Sequence, residues 1–152
     1  MARTDTISSR TATQRPPIEL AAMAVGATFL LVGILGFVPG VTQNFDAMEF
    51  AGHKSGAELL GIFQVSILHN IVHLLFGVAG FAAARTIATA RSFLIGGGII
   101  YGALGVYGLV IDRMSDANFV PVNGADNWLH IGLATAMIIL GVVLSERSST
   151  VS

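Results

Sequence analysis

The chain has 152 residues, a net charge of −1, and a composition that is 53% hydrophobic but only 11% charged. A mean hydropathy of +0.75 places it outside the range of ordinary soluble domains, and the sparse charge gives no support for nucleic-acid binding. The absence of cysteine excludes disulfides, thiolate metal sites and thioether-linked haem.

Apolar residues gather into four blocks of roughly 20, each enough for a helix across the hydrocarbon core of a bilayer. This predicts an all-α, four-transmembrane-helix bundle with the lipid bilayer as its main partner. Residues 1–17 are polar, rich in Ser, Thr and Arg, and close on Pro16 and Pro17, which predicts a disordered tail. The first block, 18–38, is too long for a signal peptide, lacks an Ala-x-Ala exit and stops at Pro39-Gly40, so it reads as span one. Glu19 sits in its first turn, where a carboxylate meets the positive end of the helix dipole. Residues 41–54 mix polar and aromatic side chains, as a loop at the membrane surface does.

Ser55-x-x-Glu58 has the form of a capping box, which predicts a second helix over 56–84 whose first turns project into the headgroup layer. The short connection at 86–91 makes spans two and three antiparallel neighbours. Span three, 92–111, carries six glycines, and Gly98-x-x-x-Gly102 has the spacing of a helix-packing face that suits self-association into a homo-oligomer. No strand precedes these glycines and no Lys follows them, so a phosphate-binding loop is excluded. Residues 112–126 form a second polar loop with Pro121 and Asn123-Gly124 as turn signals. Span four, 127–145, places Trp128 at the interface, and a short tail, 148–152, ends the chain.

Six of the eight basic residues (Arg3, Arg10, Arg15, Arg85, Arg91 and Arg147) fall on one side of this arrangement; Lys54 and Arg113 fall on the other. The excess predicts a multi-pass protein of the cell membrane with both termini in the cytoplasm. The halves also resemble each other. Gly33-Ile34-Leu35-Gly36 matches Gly102-Ala103-Leu104-Gly105, Asn44-Phe45 matches Asn118-Phe119, and Asn70-x-x-His73 matches Asn127-x-x-His130, in the same order. Two tandem two-helix hairpins, parallel and related by an axis along the membrane normal, would give this pattern and set span two opposite span four.

The chemistry concentrates in span two. Ser66, His69, Asn70 and His73 interrupt an apolar run, and such groups are costly in hydrocarbon unless they face partners. On a helix, Glu58, His69, His73 and Gly80 share a stripe about 60° wide. Three explanations compete. His69 and His73, one turn apart, bind a divalent metal with His130 or Glu58. Alternatively His73 and His130 hold a haem from opposite sides. In the third, the favoured one, a structural polar cluster of Ser66, Asn70, Asn127 and the imidazoles hydrogen-bonds between helices in a non-enzymatic membrane component. Proton or solute passage is weakened by the lack of polar groups below His73. Tyr101 and Tyr107 read as packing residues, and His53 as a loop residue in solvent.

The strings FVPGVTQNFD, LLGIFQVSILHNIVHLLFGVAG and ANFVPVNGADNWLHIG closely resemble a domain-of-unknown-function family of small four-helix bacterial membrane proteins, found mainly in high-GC Gram-positive bacteria. The similarity covers residues 33–144. It implies four spans and a cell-membrane location, and brings no activity, substrate or cofactor.

Overall fold

A computed structural model describes residues 15–149, with side chains to residue 145. The polar N-terminal stretch before Arg15 and the last three residues lie outside the described residues. Four helices carry the fold: α1 (Pro17–Leu35), α2 (Ile67–Ala83), α3 (Ile87–Val110) and α4 (Gly124–Ser149). Three of them, α1, α3 and the first 22 residues of α4, are long and apolar enough to cross a membrane; α2, with 17 residues, is a shorter apolar helix.

The surface and interior are inverted relative to a soluble protein. Leu75, Val78, Ile99, Val106, Val110 and Ile139 lie exposed, whereas His69, Asn70, His73, Asn127 and His130 are buried. In water the outward face would be a large apolar patch; in acyl chains it is the satisfied face, and the polar groups gain by turning inward.

The helices associate as two tight pairs. α1 lies on α2 and α3 on α4, with glycines at the closest approaches. A Cβ at Gly26 would stand 2.9 Å from the Gly77 carbonyl oxygen, and one at Gly98 3.0 Å from that of Ala134. Gly98 and Gly102, read as a self-association face, therefore lie against α4 within the chain, as do Gly105 and Gly108, while Gly96 faces open space.

The second helix begins eleven residues later than the sequence predicts. Ser55-x-x-Glu58 is not a capping box: the Ser55 hydroxyl donates to the Val65 carbonyl (2.6 Å) and accepts from the Glu49 amide (3.2 Å), stapling a loop. The chain instead forms a small antiparallel sheet of β1 (Thr42–Gln43), β2 (Glu58–Leu59) and β3 (Phe63–Gln64), in that spatial order. The turn between β2 and β3 places Leu60 (φ 56°) and Gly61 (φ 69°) in the left-handed region, which no helix continues through. The helix cap is Ser66, whose hydroxyl accepts from the His69 amide at 3.1 Å. At the other end of α2, only residues 84–86 separate it from α3, which starts at Ile87 with Thr86 as cap, five residues before the predicted span.

This sheet and the 111–123 loop form a lid over one end of the bundle. The Gly52 amide donates to the Phe119 carbonyl (2.7 Å), and Asn123 Nδ2 to that of Ile62 (2.7 Å). Asp126 ties the lid to α4: its Oδ2 accepts from the Asn123 amide (2.8 Å) and, across 62 positions of chain, from the Gln64 amide (3.0 Å). Asp126→Ala leaves two part-buried amides without acceptors, so a loss of about 2–3 kcal/mol is expected, read as a lower melting temperature with faster proteolysis of residues 41–66.

Candidate metal centre beneath the lid

Ser66 sets the start of α2, which puts His69 in its first turn and His73 one turn on, directly under the lid. On α4 the Asn123 side chain caps the helix through the Ala125 and Asp126 amides, and His130 follows one turn after Asp126. Both helices thus turn an imidazole inward at the same depth. Counting residues from the basic helix ends gives a depth difference of about 7 Å between His73 and His130 at 1.5 Å per residue. The two imidazoles nevertheless meet, and α4 continues through Ser149, so Arg147 does not mark its end.

One ring nitrogen from each of His69, His73 and His130 lies within 4.8 Å of the other two. The ring centroids of His69 and His73 are 4.6 Å apart, and those of His69 and His130 6.1 Å. Two further rings wall the cluster: Tyr101, 5.1 Å from His130 and 6.4 Å from His73, and Phe29, 5.7 Å from His73. His69 Nδ1 is 3.0 Å from the Pro121 carbonyl oxygen. A carbonyl only accepts, so that nitrogen carries the proton and Nε2 keeps the lone pair. His73 Nδ1 and His130 Nδ1 are enclosed and have no partner among the described residues.

The other predicted residues sort cleanly. Glu58 is not on the helical stripe: it lies in β2, outside the group of converging nitrogens. Asn70 and Asn127 are fully buried away from the imidazoles, each wedged where a Cβ on a glycine of the paired helix would sit, Gly36 for Asn70 and Gly108 for Asn127. His53 lies in the lid, 3.9 Å from Asp116. The sequence reading assigns three contributors no part in the cluster. Phe29 and Pro121 had no polar signature to draw attention, and Asp126 read as one more charge of a solvated loop. The spacing Asn123-x-x-Asp126, with a carboxylate able to reach back to the cap residue's amide, is the signal that would have found the last.

Two cavities adjoin the cluster. One, of about 200 Å³, opens between α2 and α3 and has His69, His73, Tyr101 and His130 in its wall. The other, of about 120 Å³, lies toward α1 and is lined by the same three histidines together with Asp126. Asp126, 3% exposed, is the one buried acid among the described residues.

The family model described as "Domain of unknown function (DUF4383)" matches residues 19–143. The chain belongs to this family. The DUF4383 region takes in all of α1 but its first two residues, the lid, α2, α3 and most of α4, and with them every residue of the histidine cluster. No curated protein and no solved structure matches the chain.

Proposed function

We propose that this DUF4383 protein is a four-span integral membrane protein that holds a divalent transition metal on His69, His73 and His130. The carrying observation is the convergence of three imidazole nitrogens within 4.8 Å in an enclosed interior. Zn²⁺ or a similar ion bonded at about 2.0–2.1 Å sets its nitrogens about 3.3 Å apart, so small side-chain rotations close the set, and three protein ligands leave a fourth position open. The Pro121 carbonyl acts on His69 as outer partners act on metal-bound imidazoles, fixing the tautomer and the ring plane.

The packing alternative requires hydrogen bonds between helices. Among the described residues His73 and His130 make none, Asn127 makes none, and Asn70 has only a 4.0 Å contact to the Met48 sulfur. A haem between His73 and His130 needs an open equatorial plane, and the rings of His69, Tyr101 and Phe29 occupy that space. Both comparisons favour a metal ion.

As the fourth span, α2 lies at the lower limit of length for crossing a bilayer. Its exposed Leu75, Val78 and Phe81 support a lipid-facing position. The glycine contacts support two tandem hairpins in a register one turn later than the matching strings. Gly26, Gly33 and Gly36 meet Gly77, Leu74 and Asn70 as Gly98, Gly105 and Gly108 meet Ala134, Ile131 and Asn127. Every α1-to-α3 step is 72 residues and every α2-to-α4 step is 57. The same steps relate His73 to His130 and Phe29 to Tyr101.

The basic-residue count favours cytoplasmic termini in the cell membrane, with the lid outside. With no native cysteine, Asp116→Cys should react with an impermeant maleimide on whole cells and Ser152→Cys should not; the reverse labelling rejects this orientation. For the metal site, protein purified in detergent should contain close to one transition metal per chain by elemental analysis. Only trace metal in the wild type, with no rebinding of Co²⁺ or Zn²⁺, rejects it.

A further inference from the structure

The cavity between α2 and α3 reaches the histidine cluster from the side of the bundle. Its mouth is formed by Ile100, Leu104 and Tyr107 of α3, which in a bilayer face acyl chains, and by Phe119 of the lid loop; the four are 38–58% exposed. Its inner wall carries Tyr101 and the imidazoles of His73 and His130, each more than nine-tenths buried. The Tyr107 hydroxyl is engaged with the Ala117 carbonyl at 3.0 Å, but Tyr101 makes no hydrogen bond among the described residues. No Lys, Arg, Asp or Glu lines the cavity.

These features narrow what fits. In the metal-free protein a charged headgroup, whether carboxylate or phosphate, would be desolvated with no counter-charge from the lining side chains, which is prohibitive. A purely aliphatic chain would leave the phenol and the imidazoles unpaired. An apolar cavity of 150 Å³ holds a benzene ring, so about 200 Å³ takes one substituted six-membered ring. The aromatic walls, Phe76, Tyr101 and Tyr107, favour a flat occupant. The unpaired phenol O–H is a donor and calls for an acceptor oxygen, and a neutral imidazole beside it can offer an N–H to the same atom.

We propose that this cavity is a lateral port in which a bilayer-dissolved quinone seats its ring, with a carbonyl oxygen directed at Tyr101 and the His73/His130 pair and its tail left in the lipid. The port rests on the membrane reading and does not require the metal.

A photoreactive azido-benzoquinone with a short isoprenoid tail, applied to the full-length protein in nanodiscs with and without bound Zn²⁺, tests it. The label should saturate, map to residues 72–76, 100–107 and 117–122, and be displaced by unlabelled quinone but not by oleate. Leu104→Trp, which fills the mouth from an exposed position, should cut labelling at least tenfold, and Tyr101→Phe severalfold. Labelling spread evenly over the outward faces of α1 and α4, displacement by oleate, or a wild-type level in Leu104→Trp each overturns the port. Labelling that persists in metal-free protein upholds the port whatever the metal assay returns, so the two readings fail separately.

Discussion

His73→Ala is expected to weaken Zn²⁺ or Co²⁺ binding at least about a hundredfold, because loss of an outer partner alone costs 10–100-fold and this change removes a ligand. The His73 ring lies 4.6 Å from that of His69 and is stacked at 6.4 Å on Tyr101. His69 and His130, 6.1 Å apart, then remain as a two-ligand site. His73→Gln keeps most of the volume and should lose the metal as fully, which separates ligation from cavity formation. His53→Ala, in the lid, should bind as the wild type does. The readout is metal per chain with the Co²⁺ visible spectrum, measured on protein that elutes as a single species. Full metal content in His73→Gln would exclude His73 as a ligand.

Gly36→Ala and Gly108→Ala form the second test, and should each destabilise the protein by about 2–3 kcal/mol, at the upper end of the range for overpacking a filled interior. At both sites the added methyl would collide with a fully buried amide, that of Asn70 or Asn127. Adding Asn70→Ala to Gly36→Ala, or Asn127→Ala to Gly108→Ala, removes the obstacle, so each double variant should be more stable than the two single losses predict. Crossed pairs, such as Gly36→Ala with Asn127→Ala, should show simple additivity because the sites share no partner. Thermal unfolding in detergent gives every comparison. Matching behaviour in the two halves is what a duplicated hairpin requires, and coupling in only one half would argue against it.

Much of this was legible in the chain. Long apolar blocks announce themselves by composition, and polar groups inside them are expensive enough to identify the inward face, which is why His69, His73 and His130 could be grouped in advance. The lid was not legible. Its strands are two residues each, too short for any alternation to register, and Ser55-x-x-Glu58 imitates a helix start while its hydroxyl is committed across the loop. The contrary sign was Leu60-Gly61, a turn pair that periodicity does not weigh. The register of the proposed repeat was ambiguous for a different reason. Gly102, Gly105 and Gly108 recur every three residues, so Gly33-x-x-Gly36 fits two frames equally in sequence, and the contacts of Gly26, Gly33 and Gly36 with α2 match those of Gly98, Gly105 and Gly108 with α4 in one of them. Phe29 escaped notice, and Tyr101 read only as a packing residue, because an aromatic residue in an apolar helix carries no mark of which way it points.

At the end of the bundle under the lid, the halves are stitched together by Gly52 with Phe119 and Gln64 with Asp126; at the opposite end the only covalent link is the short bend between α2 and α3. That bend orders the two hairpins in synthesis but is not what clasps them. A gene cut between codons 85 and 86 should therefore yield two fragments that find each other when co-expressed, as separate subunits do.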